Sequence, residues 1–331
     1  MEGEKKTQET QPELLEALAC LVEPFTRGHP ESPLLWVCKS TYHLRDALVR
    51  QGYQVSQPQV AKLLTELGYS LQAPRKTEEG GTHPDRDAQF TYIHKQLQTF
   101  HDRGWPAISV DAKKKEKIGN YANTGREYQR HGQPVTVKVY DFVDKQLGKA
   151  IPYGIYDIGR NEGVVNVGIS ADTAEFAVNS IRKWWECRGR TVYPNVPALL
   201  ITADGGGSNS SRSRLWKAEL QKLAQELTMN LHVCHYPPGT SKWNKIEHRM
   251  FSFITKNWRG KPLTSRETIV NLIGNTTTKT GLAIIAHLDE HVYQKGRKVT
   301  DKEFATVNIE RAEFQGKWNY IIRPRDDTEK V

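Results

Sequence analysis

Three acidic residues occupy positions where carboxylates could act together. Asp111 ends a strand-like run that begins at Trp105, Asp204 ends the apolar run 198–204, and Glu247 lies on a helix-like segment further along. Functional groups collect at the strand ends of an open α/β sheet. If the strands that end in Asp111 and Asp204 are neighbours, we expect the three carboxylates to converge.

Converging carboxylates need a cation, because like charges at close range drive at least one pKa upward. Hard divalent cations with oxygen ligands, Mg²⁺ or Mn²⁺, are the natural partners. Two such ions roughly 4 Å apart hold the attacking and leaving oxygens of an in-line phosphoryl displacement. The pattern therefore predicts phosphodiester hydrolysis or transfer.

Each acid also has a plainer interpretation when it is taken alone. An Asp at a strand end often caps a turn, and a Glu at a helix edge often forms a salt bridge. Asp157 also lies near a strand end and could replace one of the three acids, although its setting is more typical of a hairpin.

The segment around Glu247 is basic, aromatic and periodic. A Pro-Pro-Gly turn at 237–239 ends the preceding strand, and apolar residues then recur at helical spacing, which predicts one buried face. That face consists of Trp243, Ile246, Met250, Phe253 and Ile254. Beside it we expect phosphate contacts from Lys242, Lys245 and Arg249, with Trp243 packing or stacking near the cleaved DNA end.

Other residues next to the acids have supporting roles in this interpretation. Gly205 opens a glycine run that would let backbone, DNA and metal approach Asp204 closely. His235 and His248 flank the third acid and could move protons or contact DNA, although a lone histidine is usually structural.

The elements that would position the acids follow the order βββαβαβα. The five predicted strands end at 111, 158, 169, 204 and 235, and helices are predicted over 173–189 and 214–227. This order predicts an α/β fold with a mixed five-stranded sheet and helices on both faces. A further helix is predicted from Pro84 to His101.

The N-terminal part has its own pattern. We expect a disordered tail over 1–11, a helical domain over 12–72 with a loop at 26–33, and a linker over 73–83. Two helices separated by a short turn predict a helix-turn-helix, whose second helix would offer Ser56, Gln57, Gln59 and Lys62 to DNA. A plain helical hairpin is the alternative.

Composition favours a polyanionic partner. The 331 residues carry 47 Lys and Arg against 38 Asp and Glu, a net charge of +9, although an anionic surface would suit that charge as well. Residues 112–150 hold nine Lys and Arg against four Asp and Glu, with four aromatic residues between them. We expect this basic insertion, including Lys113, Lys114 and Lys115, to contact DNA, and a solvated hairpin is the alternative.

Cysteine usage and hydropathy bear on location. The four cysteines show no CxxC spacing, so neither a zinc site nor a disulfide framework is predicted. No apolar run approaches the length of a membrane span. We therefore expect a cytoplasmic protein with no membrane partner.

Specific motifs surround the acids. Pro237, Pro238, Ser241, Asn244, Ile246 and Glu247 resemble the Pro-Pro…Asn-x-Ile-Glu signature of mariner-like DDE transposases. The segments 108–115, 201–209 and 238–248 are similar to bacterial insertion-sequence transposases of the Rhodopirellula-type DDE family. The likeness extends from about Pro12 to Ile322, and family members generally carry more residues before the first helix.

The resemblance implies an RNase H-like catalytic domain with Asp111, Asp204 and Glu247 as ligands of Mg²⁺ or Mn²⁺. It also implies an N-terminal helix-turn-helix that recognises terminal inverted repeats. We place the catalytic domain at 84–260 and a C-terminal extension at 261–331. The expected function is metal-dependent cleavage and strand transfer of double-stranded DNA by a homodimer or larger complex. A structure-selective nuclease and a silent DNA-binding regulator are the alternatives.

Overall fold

The computed structural model describes residues 11–22, 26–29, 32–37, 40–69 and 83–325. The chain forms two compact units, Met1–Glu78 and Glu79–Val331. The predicted tail over 1–11 and linker over 73–83 lie outside the described residues except for Gln11 and His83. Both therefore stay predictions.

The described residues of the smaller unit form three helices and a strand pair. The helices are α1 (Leu14–Val22), α2 (Thr41–Arg50) and α3 (Gln57–Glu66), and the strands are β1 (Thr26–His29) and β2 (Ser32–Val37). The helices pack through apolar residues spaced one turn apart, namely Leu14, Leu18, Val22, Leu44, Leu48, Val60 and Leu63. The periodicity of leucine and valine thus accounts for the core of this unit.

The loop predicted over 26–33 is wrong in part. β1 and β2 pair in an antiparallel ladder that joins Thr26 to Val37 and Gly28 to Leu35. The run Leu34-Leu-Trp-Val37 is rich in residues that favour strands. Pairing with β2 gives the polar residues 26–29 a strand conformation that their own propensity does not indicate.

The turn between α2 and α3 follows the sequence signals. Ser56 caps α3 by accepting from the backbone N–H of Gln59, whose side chain returns a bond to the backbone N–H of Ser56. This reciprocal pair of bonds is a capping box, which fixes where α3 begins. Gly52 has a φ of +95°, a conformation that glycine adopts without a steric penalty, at the turn between the helices.

The larger unit combines a nine-stranded sheet with helices. The strands are β3 (Ala107–Ala112), β4 (Glu116–Lys117), β5 (Lys149–Asp157), β6 (Glu162–Gly168), β7 (Ala198–Ala203), β8 (Asn230–His235), β9 (Ala283–Asp289), β10 (Ile309–Arg311) and β11 (Asn319–Ile322). The α-helices are α4 (Arg86–Asp102), α5 (Ala174–Trp184), α6 (Arg190–Val192), α7 (Arg214–Leu227), α8 (Ser252–Asn257), α9 (Arg266–Gly274) and α10 (Asp301–Ala305).

The five predicted strands form the centre of this sheet. The strand order is β10-β11-β8-β7-β3-β5-β6-β9, and β4 pairs with β5. β7 lies parallel to both β3 and β8, whereas β5 runs antiparallel to β3 and β6. The strands that end in Asp111 and Asp204 are neighbours. This is the arrangement in which the sequence predicts that the three carboxylates converge.

The predicted count of five strands in the sheet is too low. β9 extends one side by parallel pairing with β6, and β11 extends the other by antiparallel pairing with β8. Both come from residues 261–331, which the sequence treats as an extension. Unpaired backbone groups of β6 and β8 would otherwise be exposed at sheet edges, and pairing with β9 and β11 satisfies them.

Helices cover both faces of the sheet. Alternate strand residues, such as Ile108 and Ile201, pack with α5 and α7 in one buried cluster. On the other face, Leu200 packs with Phe100 of α4, and Val165 packs with the helices that follow Glu247. The described part of the chain contains no helix long and apolar enough to cross a membrane.

Candidate active site

The register of two parallel strands brings the first two acids together. Val110 of β3 lies opposite Ala203 of β7, and Asp111 and Asp204 are the next residues along each strand. Asp111 is 8% exposed, and its Oδ1 accepts a hydrogen bond of 2.7 Å from the N–H of Ala112. The two carboxylates therefore stand side by side at the carboxyl edge of the sheet.

Electrostatics show how closely the two aspartates interact. Burial, followed by the charge of Asp204, raises the pKa of Asp111 to about 8, with Glu247 and Asp172 adding to the shift. Burial also raises the pKa of Asp204, while a 2.8 Å bond from Asn209 Nδ2 opposes that shift. Without a cation, Asp111 therefore holds a proton at neutral pH.

Asn244 fixes the third acid relative to the first. Its buried side chain donates to the carbonyl oxygen of Val110 at 3.1 Å and accepts from the hydroxyl of Ser109. The same Ser109 oxygen accepts from the N–H of Ile246 at 3.1 Å. The turn that carries Glu247 is thus tied to β3 immediately before Asp111. Ser109 lies within the family-like segment 108–115, but sequence reasoning assigned it no role.

The helix around Glu247 differs from the predicted one. Glu247–Phe251 forms a π-helical turn before α8 begins. Such a turn contains one more residue than an α-helical turn, so Phe251 turns inward beside Met250, while Trp243 is half exposed. The predicted buried positions Ile246, Met250 and Ile254 are confirmed, and the burial of Trp243 is wrong.

Glu247 lies in a mixed electrostatic environment. Burial raises its pKa, the positive charges of Lys113 and His248 lower it, and the charge of Asp204 raises it. The pKa of Lys113 is lowered, chiefly because the side chain is buried. Its amine stands 3.2 Å from Glu116 and 4.4 Å from the centre of the Trp258 ring.

The donor chemistry at this edge fits a hard divalent cation. Carboxylate oxygens are the ligands that Mg²⁺ and Mn²⁺ prefer, and no described Lys or Arg forms an ion pair with Asp111 or Asp204. Within the described ranges, however, no three His, Cys, Asp or Glu side chains already converge on a common metal position. Asp204 is hydrogen-bonded to Asn209, and Lys113 attracts Glu247.

Asp157, the alternative acid, lies at the opposite edge of the sheet. It pairs with Ile108 near the start of β3. Its carboxylate accepts from the N–H groups of Gly159 and Arg160 and from the hydroxyl of Tyr193. Asp157 therefore organises the hairpin between β5 and β6.

Comparison with known proteins identifies the family. The family model described as the Rhodopirellula transposase DDE domain matches residues 17–324. The chain belongs to this transposase family. No curated protein matches it.

Eight solved chains are similar to this family member. A Mos1 transposase paired-end complex with the left transposon end is 14% identical, with a TM-score of 0.39, and the match covers 77% of this chain and 68% of that chain. The Mos1 strand transfer complex is 13% identical, with a TM-score of 0.40, and the match covers 77% of this chain and 67% of that chain.

The structure of the transposase places Asp172, which directly precedes the cap residue of α5, near the acids. Thr173 caps α5 by accepting from the N–H of Phe176. Asp172 Oδ1 is buried without a hydrogen-bond partner, and Oδ2 lies 3.7 Å from Lys115 Nζ. The charge of Asp172 raises the pKa of both Asp111 and Asp204. It is a fourth carboxylate beside the site.

A cleft of about 980 Å³ opens beside Glu247 in the transposase. Its basic lining residues are Lys113, Lys114, Lys242, His248, Lys256 and Arg259. The cleft gathers three of the lysines predicted to contact DNA. Lys256 and Arg259 also line the cleft. Their position beside the site results from the packing of α8.

The other predicted DNA contacts of the catalytic region are dispersed. Lys245 is exposed and lines a separate depression with Trp105. Arg249 is exposed, and Lys115 pairs with Asp172. Trp243 packs edge-on against Phe90 at 6.4 Å between ring centres.

Gly205 and Gly207 differ in how strongly their surroundings and backbone conformation require glycine. A Cβ on Gly205 would lie 3.4 Å from the carbonyl oxygen of Tyr236, an ordinary contact. Gly207 has a φ of +62°, which strains residues with a side chain. Gly207 is therefore the position after Asp204 whose backbone favours glycine.

Three polar residues predicted to read DNA make bonds inside the smaller unit. Ser56 and Gln59 form the capping box, and Gln57 Nε2 donates to the hydroxyl of Thr41 at 2.8 Å. Lys62 is exposed on α3. A base contact by Gln57 or Gln59 would have to replace or share these bonds.

Proposed function

We propose that the chain is a DDE transposase of a bacterial insertion sequence. It binds the terminal inverted repeats of its element and catalyses Mg²⁺-dependent cleavage and strand transfer of double-stranded DNA. Its larger unit is RNase H-like and acts in the cytoplasm. The parallel pairing of β3 with β7, which sets Asp111 beside Asp204, is the observation that carries this proposal.

Asp111, Asp204 and Glu247 would hold the cations, two ions of Mg²⁺ or Mn²⁺. When bound, these ions activate the attacking oxygen and stabilise the leaving oxygen of a phosphodiester. The rise of the Asp111 pKa to about 8 supports a cation site, because a cation favours the ionised carboxylate that burial and Asp204 disfavour. Asn244 and Ser109 orient the turn that supplies Glu247.

The cleft beside Glu247 would take the DNA strand to be cut. Lys114, Lys256 and Arg259 offer positive charge to its phosphates, and Lys113 balances Glu247. Neutralising phosphates supplies most of the affinity that does not depend on sequence.

The smaller unit would recognise the inverted repeats through α3. The capping box fixes the start of this helix, and its exposed side carries Lys62. A helix-turn-helix places the start of its second helix in the major groove. Pairing two element ends would require a homodimer or larger complex.

A donor-plasmid assay with Mg²⁺ tests the proposal. We expect the wild type to excise a marked element with its own inverted repeats and to join it to target DNA. Glu247→Gln should lose both products, whereas Glu313→Gln, a change at an exposed glutamate, should keep them.

The alternatives predict different products. Cleavage without any joined product would favour a structure-selective nuclease on the same fold. Specific repeat binding that Glu247→Gln leaves unchanged, with no cleavage by the wild type, would favour a silent DNA-binding regulator. Either result would overturn the proposed transposition activity.

A further inference from the structure

A buried chain of hydrogen bonds links Asp204 to the C-terminal strand β11. His235 Nδ1 lies 2.9 Å from the carbonyl oxygen of Asp204, and His235 Nε2 lies 3.0 Å from the hydroxyl of Tyr320. Trp216 Nε1 donates to the same hydroxyl at 3.0 Å. None of these three side chains is more than 2% exposed.

The chemistry of the partners fixes the direction of every bond. An indole N–H can only donate and a carbonyl oxygen can only accept. The proton of His235 therefore lies on Nδ1, facing Asp204, and the hydroxyl of Tyr320 donates to Nε2. His235 is fully buried, and burial disfavours a charged imidazole, so the ring carries this single proton.

We propose that Tyr320 is a positioning residue for Asp204, acting through the orientation of the His235 ring. The proposal rests on the proposed function, in which Asp204 binds the cation. The hydroxyl of Tyr320 anchors Nε2 of the imidazole, so that the Nδ1–H stays directed at the backbone carbonyl of Asp204, where β7 ends. Residues 319–322, beyond the three acids in the chain, thereby form part of the active site.

The elements around His235 leave it little freedom. Tyr320 lies opposite Val233 in the antiparallel pairing of β11 with β8. Asn319 and Gln89 exchange two side-chain bonds of 2.7 and 2.8 Å, and Gln89 also donates to the carbonyl oxygen of His235 at 2.9 Å. Contacts from α4, β8 and β11 therefore hold His235 in place.

Replacing Tyr320 with Phe would preserve the packing and remove one hydroxyl. Trp216 Nε1 and His235 Nε2 would lose their partner, and a buried polar group without a partner is costly. The imidazole would also lose its anchor at Nε2, so the ring would no longer be held with its Nδ1–H against the carbonyl oxygen of Asp204. We expect a displaced Asp204 and weaker cation binding.

Tyr293 supplies a matched control. Its hydroxyl also makes two side-chain bonds, with Asn179 at 2.7 Å and Asp289 at 2.9 Å. These partners belong to α5 and β9 and do not contact Asp204. Tyr293→Phe therefore removes a comparable hydroxyl from the same unit without acting on the site.

The test is a Mn²⁺ titration of the full chain without DNA, with stability measured by urea unfolding in EDTA. We expect Tyr320→Phe to weaken Mn²⁺ binding about tenfold, as the loss of outer partners of metal ligands commonly does. Tyr293→Phe should bind Mn²⁺ like the wild type even if it loses similar stability. Equal Mn²⁺ affinities for the two variants would overturn the inference.

A second pair of variants covers the case in which Tyr320→Phe does not fold. His235→Asn keeps a side-chain N–H near the position of Nδ1, whereas His235→Leu removes it. We expect His235→Asn to bind Mn²⁺ more tightly than His235→Leu, and equal affinities would contradict the inference.

The outcomes separate the inference from the proposed function. If the wild type binds no Mn²⁺, or if Asp204→Asn binds as tightly as the wild type, the proposed cation site is wrong and the inference falls with it. If the wild type binds Mn²⁺ and Asp204→Asn does not, the site stands. The comparison of Tyr320→Phe with Tyr293→Phe then decides the inference alone.

Discussion

The side-chain amide of Asn244 donates to the backbone carbonyl of Val110 at 3.1 Å, one residue before Asp111. Because Ser109 completes the link from the other side of Val110, the turn that bears Glu247 cannot shift without disturbing β3. The relative positions of the first and third acids therefore depend on one buried amide.

Asn244→Ala should lower both stability and cleavage. It leaves the carbonyl of Val110 and the hydroxyl of Ser109 without their partner, and such losses cost about 1–3 kcal/mol. Urea unfolding and a cleavage assay measure the two effects. Asn271→Ala, at an exposed position on α9, is the control and should be near neutral. A fully stable and active Asn244→Ala protein would show that the link does not position Glu247.

The Asp111 carboxyl should make the metal-free protein less stable as the pH rises. Its pKa is about 8 in the folded protein and 3.8 ordinarily, so the folded state binds the proton more tightly. The stabilisation is complete below pH 4 and is lost as the pH rises through 8. Removing the titration by Asp111→Asn should therefore help most at high pH.

The measurement is the free energy of unfolding in EDTA at pH 5 and pH 8.5. One pKa unit corresponds to about 1.4 kcal/mol. From pH 5 to pH 8.5, the free energy of unfolding of Asp111→Asn should therefore rise by at least ~2 kcal/mol relative to that of the wild type. An identical difference at both values would mean that Asp111 titrates normally.

Gly163→Ala should disturb the turn that starts at Glu247. A Cβ at this position would lie 2.2 Å from the sulfur of Met250, inside the π-helical turn. Overpacking of this kind costs about 1–3 kcal/mol. The matched change Gly274→Ala has room, since its Cβ would meet Ala286 at 3.9 Å.

Unfolding and cleavage assays measure the effect of Gly163→Ala. Adding Met250→Ala to Gly163→Ala should partly restore stability and cleavage in the double variant, because the second change removes the clashing sulfur. If the double variant is no better than Gly163→Ala, the clash with Met250 is not the cause.

Lys114→Ala should weaken DNA binding uniformly across sequences. Lys114 is exposed and lines the cleft beside Glu247. Loss of one phosphate contact reduces the slope of log affinity against log salt concentration by about 0.9. Fluorescence anisotropy with duplex DNA at several salt concentrations measures that slope. Lys302→Ala on α10 should leave the slope unchanged, and equal slopes for the two variants would exclude Lys114 from the DNA path.

Much of the fold follows from local pattern. The apolar run at 198–203 predicted a central strand, and the helix Arg214–Leu227 begins and ends as its leucine spacing indicates. The outer strands β9 and β11 could not be predicted in this way. They are strands because β6 and β8 offer them unpaired backbone groups.

The same contrast between local pattern and long-range contacts applies to the candidate site. Strand-end position and family motif predicted the acids, because each is visible within a few residues of sequence. Sequence reasoning assigned no such role to Ser109 or Asp172, because their roles arise from contacts across the sheet edge. The π-helical turn was also hidden, since Ile246, Met250 and Ile254 fit an ordinary helix. Only the burial of Phe251 near Gly154 distinguishes the two.

Anomalous diffraction at the manganese absorption edge tests the central claim most directly. The crystals would contain the full chain, a DNA duplex carrying one inverted repeat, and Mn²⁺. We expect anomalous peaks in contact with the carboxylates of Asp111, Asp204 and Glu247. Manganese bound elsewhere, with these three carboxylates free of it, would contradict the proposed site.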